Sequence, residues 1–316
     1  MKRYTGACIA LAIVGSLLWF GFGFRQPHHP QAPIPKELIA GPEGDHARCS
    51  APSTSRPHLG VVVARPQQLT LPLFIRAAGE RPSIIEYYEG FLTPLDLRRA
   101  ALIYNSGAFP VVQWDPHVSL GAVASGRYDG YLRRTARAVA AFRCPLVLSL
   151  GHEMNGSWYS WGFTHTTPAV FIAAWRHVHD VFARAGARNV IWAWTVIRQA
   201  AGESPIRAWW PGARYVNWVG IDGYYRRPRS TFREFRGTLR IVRGLRKPVF
   251  FAETAVSPRL QEPRQIANLF AGATRNHVFA VIWFNLNAKE RWELQEAPPS
   301  AVNAFRQAVS RYGRQG

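Results

Sequence analysis

Pro145-Leu-Val-Leu-Ser-Leu-Gly-His-Glu-Met-Asn-Gly-Ser-Trp-Tyr-Ser-Trp-Gly162 joins a short apolar run to a polar and aromatic cluster. The run, residues 145–150, has the length of a buried strand in a parallel sheet. It ends abruptly in His152, Glu153 and Asn155, followed by Trp158, Tyr159 and Trp161. An imidazole, a carboxylate and a carboxamide at the mouth of a buried strand, ringed by aromatics, read as a binding site. The plainer alternative is a loop whose polar groups cap backbone amides.

Seven further runs of the same kind flank this one: Leu59–Ala64, Ile84–Tyr88, Phe109–Trp114, Val190–Val196, Tyr215–Ile221, Pro248–Phe251 and Val278–Phe284. Helical patterns lie between most of them. Thr93-Pro94 opens Leu95–Tyr104, which Ser106-Gly107 closes, and Thr167-Pro168 opens Ala169–Ala185, which Gly186 closes. A capping Thr, a Pro in the first turn and a terminal Gly are start and stop signals. Further helices are expected at Tyr128–Phe142, Thr231–Leu245, Pro263–Arg275 and Pro299–Tyr312, with weaker patterns at Pro72–Ala78 and Pro205–Trp210. Strands alternating with helices from residue 58 onward predict an α/β fold, a (β/α)8 TIM barrel. The runner-up is an open doubly wound sheet. No glycine-rich phosphate fingerprint follows the first strand, which argues against nucleotide binding.

The 316-residue chain is 47% hydrophobic and carries a formal net charge of +20, nearly all from arginine, since Lys2, Lys36, Lys247 and Lys289 are its lysines. The arginines are spread along the chain without a nucleic-acid motif, so no nucleic-acid partner is expected. Near the N-terminus, Lys2 and Arg3 precede an uncharged apolar stretch, Gly6–Phe24. Its length approaches a membrane span, and no small-residue cleavage site follows. Residues 1–25 are therefore expected to be a signal-anchor, with a cleaved signal peptide as the alternative. The chain would sit at the membrane facing the extracytoplasmic side, or be secreted if the segment is cleaved. Residues 26–57, rich in Pro, His and Gly, read as a linker to the barrel domain at 58–316.

In a barrel of this kind the site lies at the C-terminal ends of the strands. Four carboxylates fall just after apolar runs: Asp115, Glu153, Asp222 and Glu253. The same ends carry Trp114, Trp192, Trp194, Tyr224, Tyr225 and Trp283. Glu153 and Glu253 stand 100 residues apart, three βα units, which places them on the fourth and seventh strands across the pore. Two carboxyls among aromatic walls suit glycosidic bond cleavage, where one protonates the leaving oxygen and the other attacks the anomeric carbon; retention needs a separation of roughly 5–5.5 Å. Asp115 and Asp222 read equally as turn-forming or supporting groups, and Trp192 and Trp194 as barrel filling. No cofactor and no metal is expected.

These residues resemble glycoside hydrolase family 26, the β-mannanase family of the retaining clan A barrels. The resemblance rests on Gly151-His-Glu-Met-Asn-Gly-Ser-Trp-Tyr-Ser-Trp-Gly162. Asn189–Trp194, Val219–Tyr225, Lys247–Glu253 and Val281–Asn285 support it, in family order. It implies Glu153 as acid/base and Glu253 as nucleophile, with His152 beside the acid and Tyr224 hydrogen-bonding the nucleophile. It implies Trp283 as the floor of the subsite where the bond breaks, and Trp158 and Trp161 in neighbouring subsites. Asn155, Trp114 and Trp194 complete the expected substrate-binding set. Thr195-Val196 and Trp114-Asp115-Pro116 stand where the family has serine-proline and Trp-Glu-Pro. The implied substrate is a polysaccharide, β-1,4-mannan first, with mixed-linkage β-glucan and β-xylan as alternatives. A non-catalytic carbohydrate-binding barrel is the competing class.

Cys49 and Cys144 remain once Cys8 is assigned to the apolar stretch. Cys144 directly precedes the fourth strand, at the end opposite the site. Cys49 lies shortly before the first strand, on a linker that approaches the same face. A disulfide between them is expected, against the alternative of two free thiols.

Overall fold

The computed structural model describes residues 49–64, 67–257, 263–288 and 290–313. The expected membrane segment, and the linker up to residue 48, lie outside the described residues. Among the described residues no helix is long and apolar enough to cross a membrane.

Eight parallel strands close into a barrel in sequence order, which rules out the open doubly wound alternative. They are β1 (His58–Val62), β2 (Ile84–Gly90), β3 (Phe109–Asp115), β4 (Leu146–Leu150), β5 (Val190–Ile197), β6 (Trp218–Asp222), β7 (Val249–Thr254) and β8 (Ala280–Phe284). The helices are α1 (Gln67–Ala78), α2 (Leu97–Asn105), α3 (Leu120–Ala124), α4 (Asp129–Phe142), α5 (Pro168–Arg184), α6 (Arg236–Arg243), α7 (Pro263–Arg275) and α8 (Pro299–Gly313). In α5 the Thr167 hydroxyl accepts from the Val170 N–H, Pro168 opens the first turn, and Gly186 at φ +83° ends it. Two expected helices come out differently. Pro205–Trp210 is a short 3₁₀ turn, Ile206–Trp209, and Thr231–Leu245 splits into a 3₁₀ turn, Phe232–Phe235, followed by α6. The short α3, capped by Ser119, has no counterpart in the sequence reading; five residues hold too little periodicity to register.

Strand alternation sorts side chains into two cores. Val62, Ile84, Phe109, Val111, Val147, Ala193, Trp218, Phe250, Ala252 and Ile282 fill the barrel interior. The opposite faces, including Val61, Tyr87, Trp114, Leu148, Trp194, Phe251 and Trp283, pack in a larger cluster with the helices. A register shift on β7 between Phe251 and Thr254 then decides the site. Strict alternation from the outward Phe251 would carry Glu253 to the helix side. The irregularity sets Glu253 beside Asp222 of β6 and turns its carboxylate into the barrel mouth, as bulges near active sites do.

At the other end, Cys49 and Cys144 form a disulfide with Cα atoms 5.4 Å apart. Arg143, in the left-handed region at φ 62°, ends α4 and delivers Cys144 to that end.

Candidate active site

The β4 end turns sharply. Gly151 takes φ +60° and Glu153, a non-glycine, takes φ +52°. Such backbone is costly for an L-residue and is held only where surrounding contacts over-determine it. Here the Glu153 N–H donates to the Thr195 carbonyl (3.0 Å), and the Gly156 N–H to the Glu153 carbonyl (2.8 Å). Asn155 fastens the turn to β5, donating to the Ile197 carbonyl and accepting from the Ile197 N–H, each at 3.0 Å. The loop then folds tightly enough that a Cβ on Gly162 would meet the Gly156 carbonyl oxygen at 2.3 Å.

Both glutamates are buried at 4% exposure, in contrasting company. Glu253 Oε1 accepts from the Tyr88 hydroxyl (2.6 Å) and Oε2 from the Tyr224 hydroxyl. His152 Nε2 lies 3.9 Å from Glu253 Oε1 and 3.0 Å from the Tyr159 hydroxyl, while its Nδ1 lies 3.1 Å from Asp115. Glu153 accepts from the Trp158 indole N–H (2.6 Å). Burial, reinforced by the Glu253 charge, pushes the Glu153 carboxyl up to about 7, against the opposing pull of His152, the Trp158 bond and Arg226. For His152 burial favours the neutral ring, but Asp115, Glu253 and Glu153 together outweigh it and raise the imidazole to about 9. Burial first, then Glu253, also raises Asp222 and Glu86 well above the usual carboxylate range, which favours their neutral forms. The site thus holds one carboxyl raised to about 7, a second that accepts from two phenols, and an imidazole raised to about 9 that lies 3.9 Å from the second.

Ligand atoms of His152, Asp222 and Glu253 lie within 4.8 Å of one another, close enough to accept a divalent cation. The proton held on His152 by Asp115, and the neutral form favoured at Asp222, both compete with metal binding.

Of the expected substrate-binding residues, His152, Trp158 and Tyr224 lie at the carboxylates. Five do not. Trp114, Trp194 and Trp283 sit on outward strand faces at 0–2% exposure. Trp114 packs on Phe91 and Tyr131, Trp194 on Trp210, and Trp283 on Phe305 of α8. Trp161 is fully buried, stacked 4.4 Å from Tyr159, with its indole N–H on the His152 carbonyl (2.7 Å). Asn155 spends its amide on Ile197. Trp283 cannot floor the subsite, because Ile282 faces inward and its neighbour therefore faces out. Phe284 and Trp292 occupy the cleft side instead, 5.6 and 5.2 Å from the Tyr224 ring.

Tyr88, Asp115 and Tyr159 join the site without having been assigned a role in it. Tyr88 carried a readable signal: Ile84, Glu86 and Tyr88 alternate, and a buried Glu on that face marks it as the polar interior. Trp292 had none, since its position depends on how the chain after β8 folds back.

The sequence profile of Glycosyl hydrolase family 26 matches residues 124–286, from α3 through β8, and so spans both glutamates. Endoglucanase H of Acetivibrio thermocellus is 27% identical over 268 residues, covering 78% of this chain and 30% of that protein. Mannan endo-1,4-beta-mannosidase A and B of Caldalkalibacillus mannanilyticus is 32% identical over 109 residues, covering 32% of this chain and 20% of that protein. The chain thus spans less than a third of the length of these relatives. Among solved structures, a GH26 beta-mannanase from Bacteroides ovatus superposes with TM-score 0.62 at 16% identity, covering 83% of this chain and 89% of that one. A Cellulomonas fimi endo-beta-1,4-mannanase superposes with TM-score 0.64 at 16% identity, covering 83% and 73%; at such identities the likeness is one of fold. With the profile match over more than half its length, the chain belongs to glycosyl hydrolase family 26.

Proposed function

We propose that the protein is a retaining, endo-acting β-glycoside hydrolase, β-1,4-mannanase-like, with Glu153 as acid/base and Glu253 as nucleophile. The observation that carries this reading is the split environment of the two glutamates. A carboxyl raised to about 7 keeps its proton in mildly acidic solution, up to near neutrality, and can give it to the glycosidic oxygen. A carboxylate held by Tyr88 and Tyr224 is oriented to attack the anomeric carbon. Glu153 loses its proton to the departing oxygen as Glu253 forms the glycosyl ester, then takes a proton from the water that opens that ester. His152, held by Asp115, opposes the rise at Glu153 and so keeps its proton transferable.

The relatives named as mannan endo-1,4-beta-mannosidases support mannan and internal cleavage. The endoglucanase relative, which covers 78% of this chain, favours a β-glucan backbone as the second reading. Retention of both glutamates opposes a purely binding barrel. Reducing-end release should be measured on β-mannan, mixed-linkage β-glucan and β-xylan, with wild type and Glu153→Ala. The proposal requires release from at least one polymer that the variant cuts at least a thousandfold more slowly. Equal rates for the two proteins, or no release from any polymer, would overturn it.

For the location we propose export, anchored by residues 6–24 or secreted after their removal. The disulfide supports an oxidising compartment. Deleting residues 1–25 should move the enzyme from the membrane pellet to the soluble fraction. A full-length chain found soluble inside the cell would count against export.

A further inference from the structure

Exposed arginines that are far apart in sequence share one end of the barrel, among them Arg81, Arg143, Arg184, Arg188, Arg246 and Arg275. Arg143, Arg184 and Arg275 end α4, α5 and α7, and the others stand on the connections that enter β2, β5 and β7. Those connections line the base, opposite the mouth that holds the two glutamates. Glu80 is the carboxylate of the described residues that stands on them. Asp115, Glu153, Glu203, Asp222, Glu253 and Glu293 lie at the C-terminal ends of strands or beyond them, at the other end. Arginine ion pairs also use carboxylates of that end: Arg133–Asp129, Arg198–Glu234 and Arg291–Glu296. Among the described residues the basal arginines named above form none, so their charge is uncompensated.

The described chain starts at Cys49, which the bridge to Cys144 fixes at this same base. The uncharged stretch Gly6–Phe24 ends 25 residues earlier. A bilayer that holds that stretch tethers the barrel by its base and concentrates the basic face at the lipid surface. Guanidinium groups meet phosphate bidentately, and exposed cations gain from anionic headgroups within a Debye length of the surface. A polyanionic substrate fits this face poorly, because a chain held there lies across the barrel from Glu153 and Glu253.

We infer that the base of the barrel is a docking face for an anionic phospholipid surface, which turns the mouth away from the bilayer and toward the polymer. This rests on the proposed membrane location and goes beyond it. By itself the face is a weak, salt-screened contact, so removing residues 1–25 still frees the enzyme; joined to the tether, it fixes the orientation.

The test reconstitutes the full chain with vesicles of phosphatidylcholine, alone or with about one-third phosphatidylglycerol, and follows flotation and amide hydrogen exchange. On the anionic vesicles the base connections at 185–189 and 244–248 should exchange about threefold more slowly than on the neutral ones, while the turn at 151–162 stays unchanged. About 0.5 M NaCl should erase the difference. A triple variant, Arg184→Gln, Arg188→Gln and Arg246→Gln, should lose most of the slowing and keep the wild-type rate of reducing-end release in solution. Flotation on both kinds of vesicle with equal exchange at the base would overturn the docking and leave the anchor standing. A slowing that survives both salt and the triple variant would overturn it as well, since the arginines would not be its cause. So would a slowing by duplex DNA in place of the anionic vesicles, which would make the face a nucleic-acid site. Flotation with neither kind of vesicle overturns docking and anchor together.

Discussion

Glu153 owes its proposed role to two causes that act in one direction: burial and the neighbouring Glu253 charge both favour its neutral form. A group whose folded pKa lies above its unfolded value stabilises the fold fully below the unfolded value and loses that contribution as pH rises through the folded one. For Glu153 the window runs from 4.5 to about 7, and for His152 from 6.5 to about 9. The fold should therefore lose stability as pH climbs through both windows. Tm against pH should flatten between 4.5 and 7 in Glu153→Gln, and between 6.5 and 9 in Asp115→Asn, which removes the strongest cation-stabilising neighbour of His152. Slopes unchanged in both variants would contradict the assignment. The phenols around Glu253 bear on rate. A hydrogen bond to a charged group is worth ~1.5–3 kcal/mol, so Tyr88→Phe and Tyr224→Phe should each lower kcat about tenfold to a hundredfold. A Tyr88→Phe variant with wild-type kcat would remove Tyr88 from the site. Glu153, Glu253, His152 and Tyr224 were legible in the sequence because each stands within three residues of the end of an apolar run. Tyr88 had a signal in its alternation with Ile84 and Glu86, but the adjacent Tyr87 is alike in type, so strand register decides which of the two faces in.

At the scale of elements, strand parity governs the tryptophans. Trp114, Trp194 and Trp283 each lie on the outward face of a strand and pack between sheet and helices. Sequence places them at the mouth in height but is silent on the face, since buried parallel strands are apolar on both sides and carry no alternation. Trp283→Ala should then cost about 3–5 kcal/mol of stability through the cavity it leaves against Phe305, seen as a lowered urea midpoint. KM of the surviving folded enzyme should stay near wild type. A large rise in KM with an unchanged midpoint would return Trp283 to the cleft. Glu253 is the converse case. Its register irregularity, unmarked by glycine or proline in Val249–Thr254, turns inward a side chain that simple alternation sends out.

Across the whole molecule, the barrel separates a fixed base from a working mouth. The fold class was legible because eight apolar runs alternate with capped helices, while closure is settled against the open-sheet alternative only by the strand order of the structure. At the base, the Cys49–Cys144 bridge closes a loop of 95 residues and clips the linker to the domain. In the chain-entropy view this contributes about 4 kcal/mol, so Cys144→Ser should unfold at distinctly lower denaturant while keeping its substrate profile. Identical midpoints for oxidised and reduced protein would show that the bridge constrains nothing. At the mouth, closure in strict order sets β4 across from β7, which brings Glu153 and Glu253 to one cleft from residues 100 positions apart. The central claim is that these two act as acid/base and nucleophile in a double displacement. Proton NMR of the first product released from a β-linked oligosaccharide or polymer, read before mutarotation, tests it most directly. The β-anomer should appear first, with the α-anomer growing in only by mutarotation; an initial α-anomer would contradict double displacement.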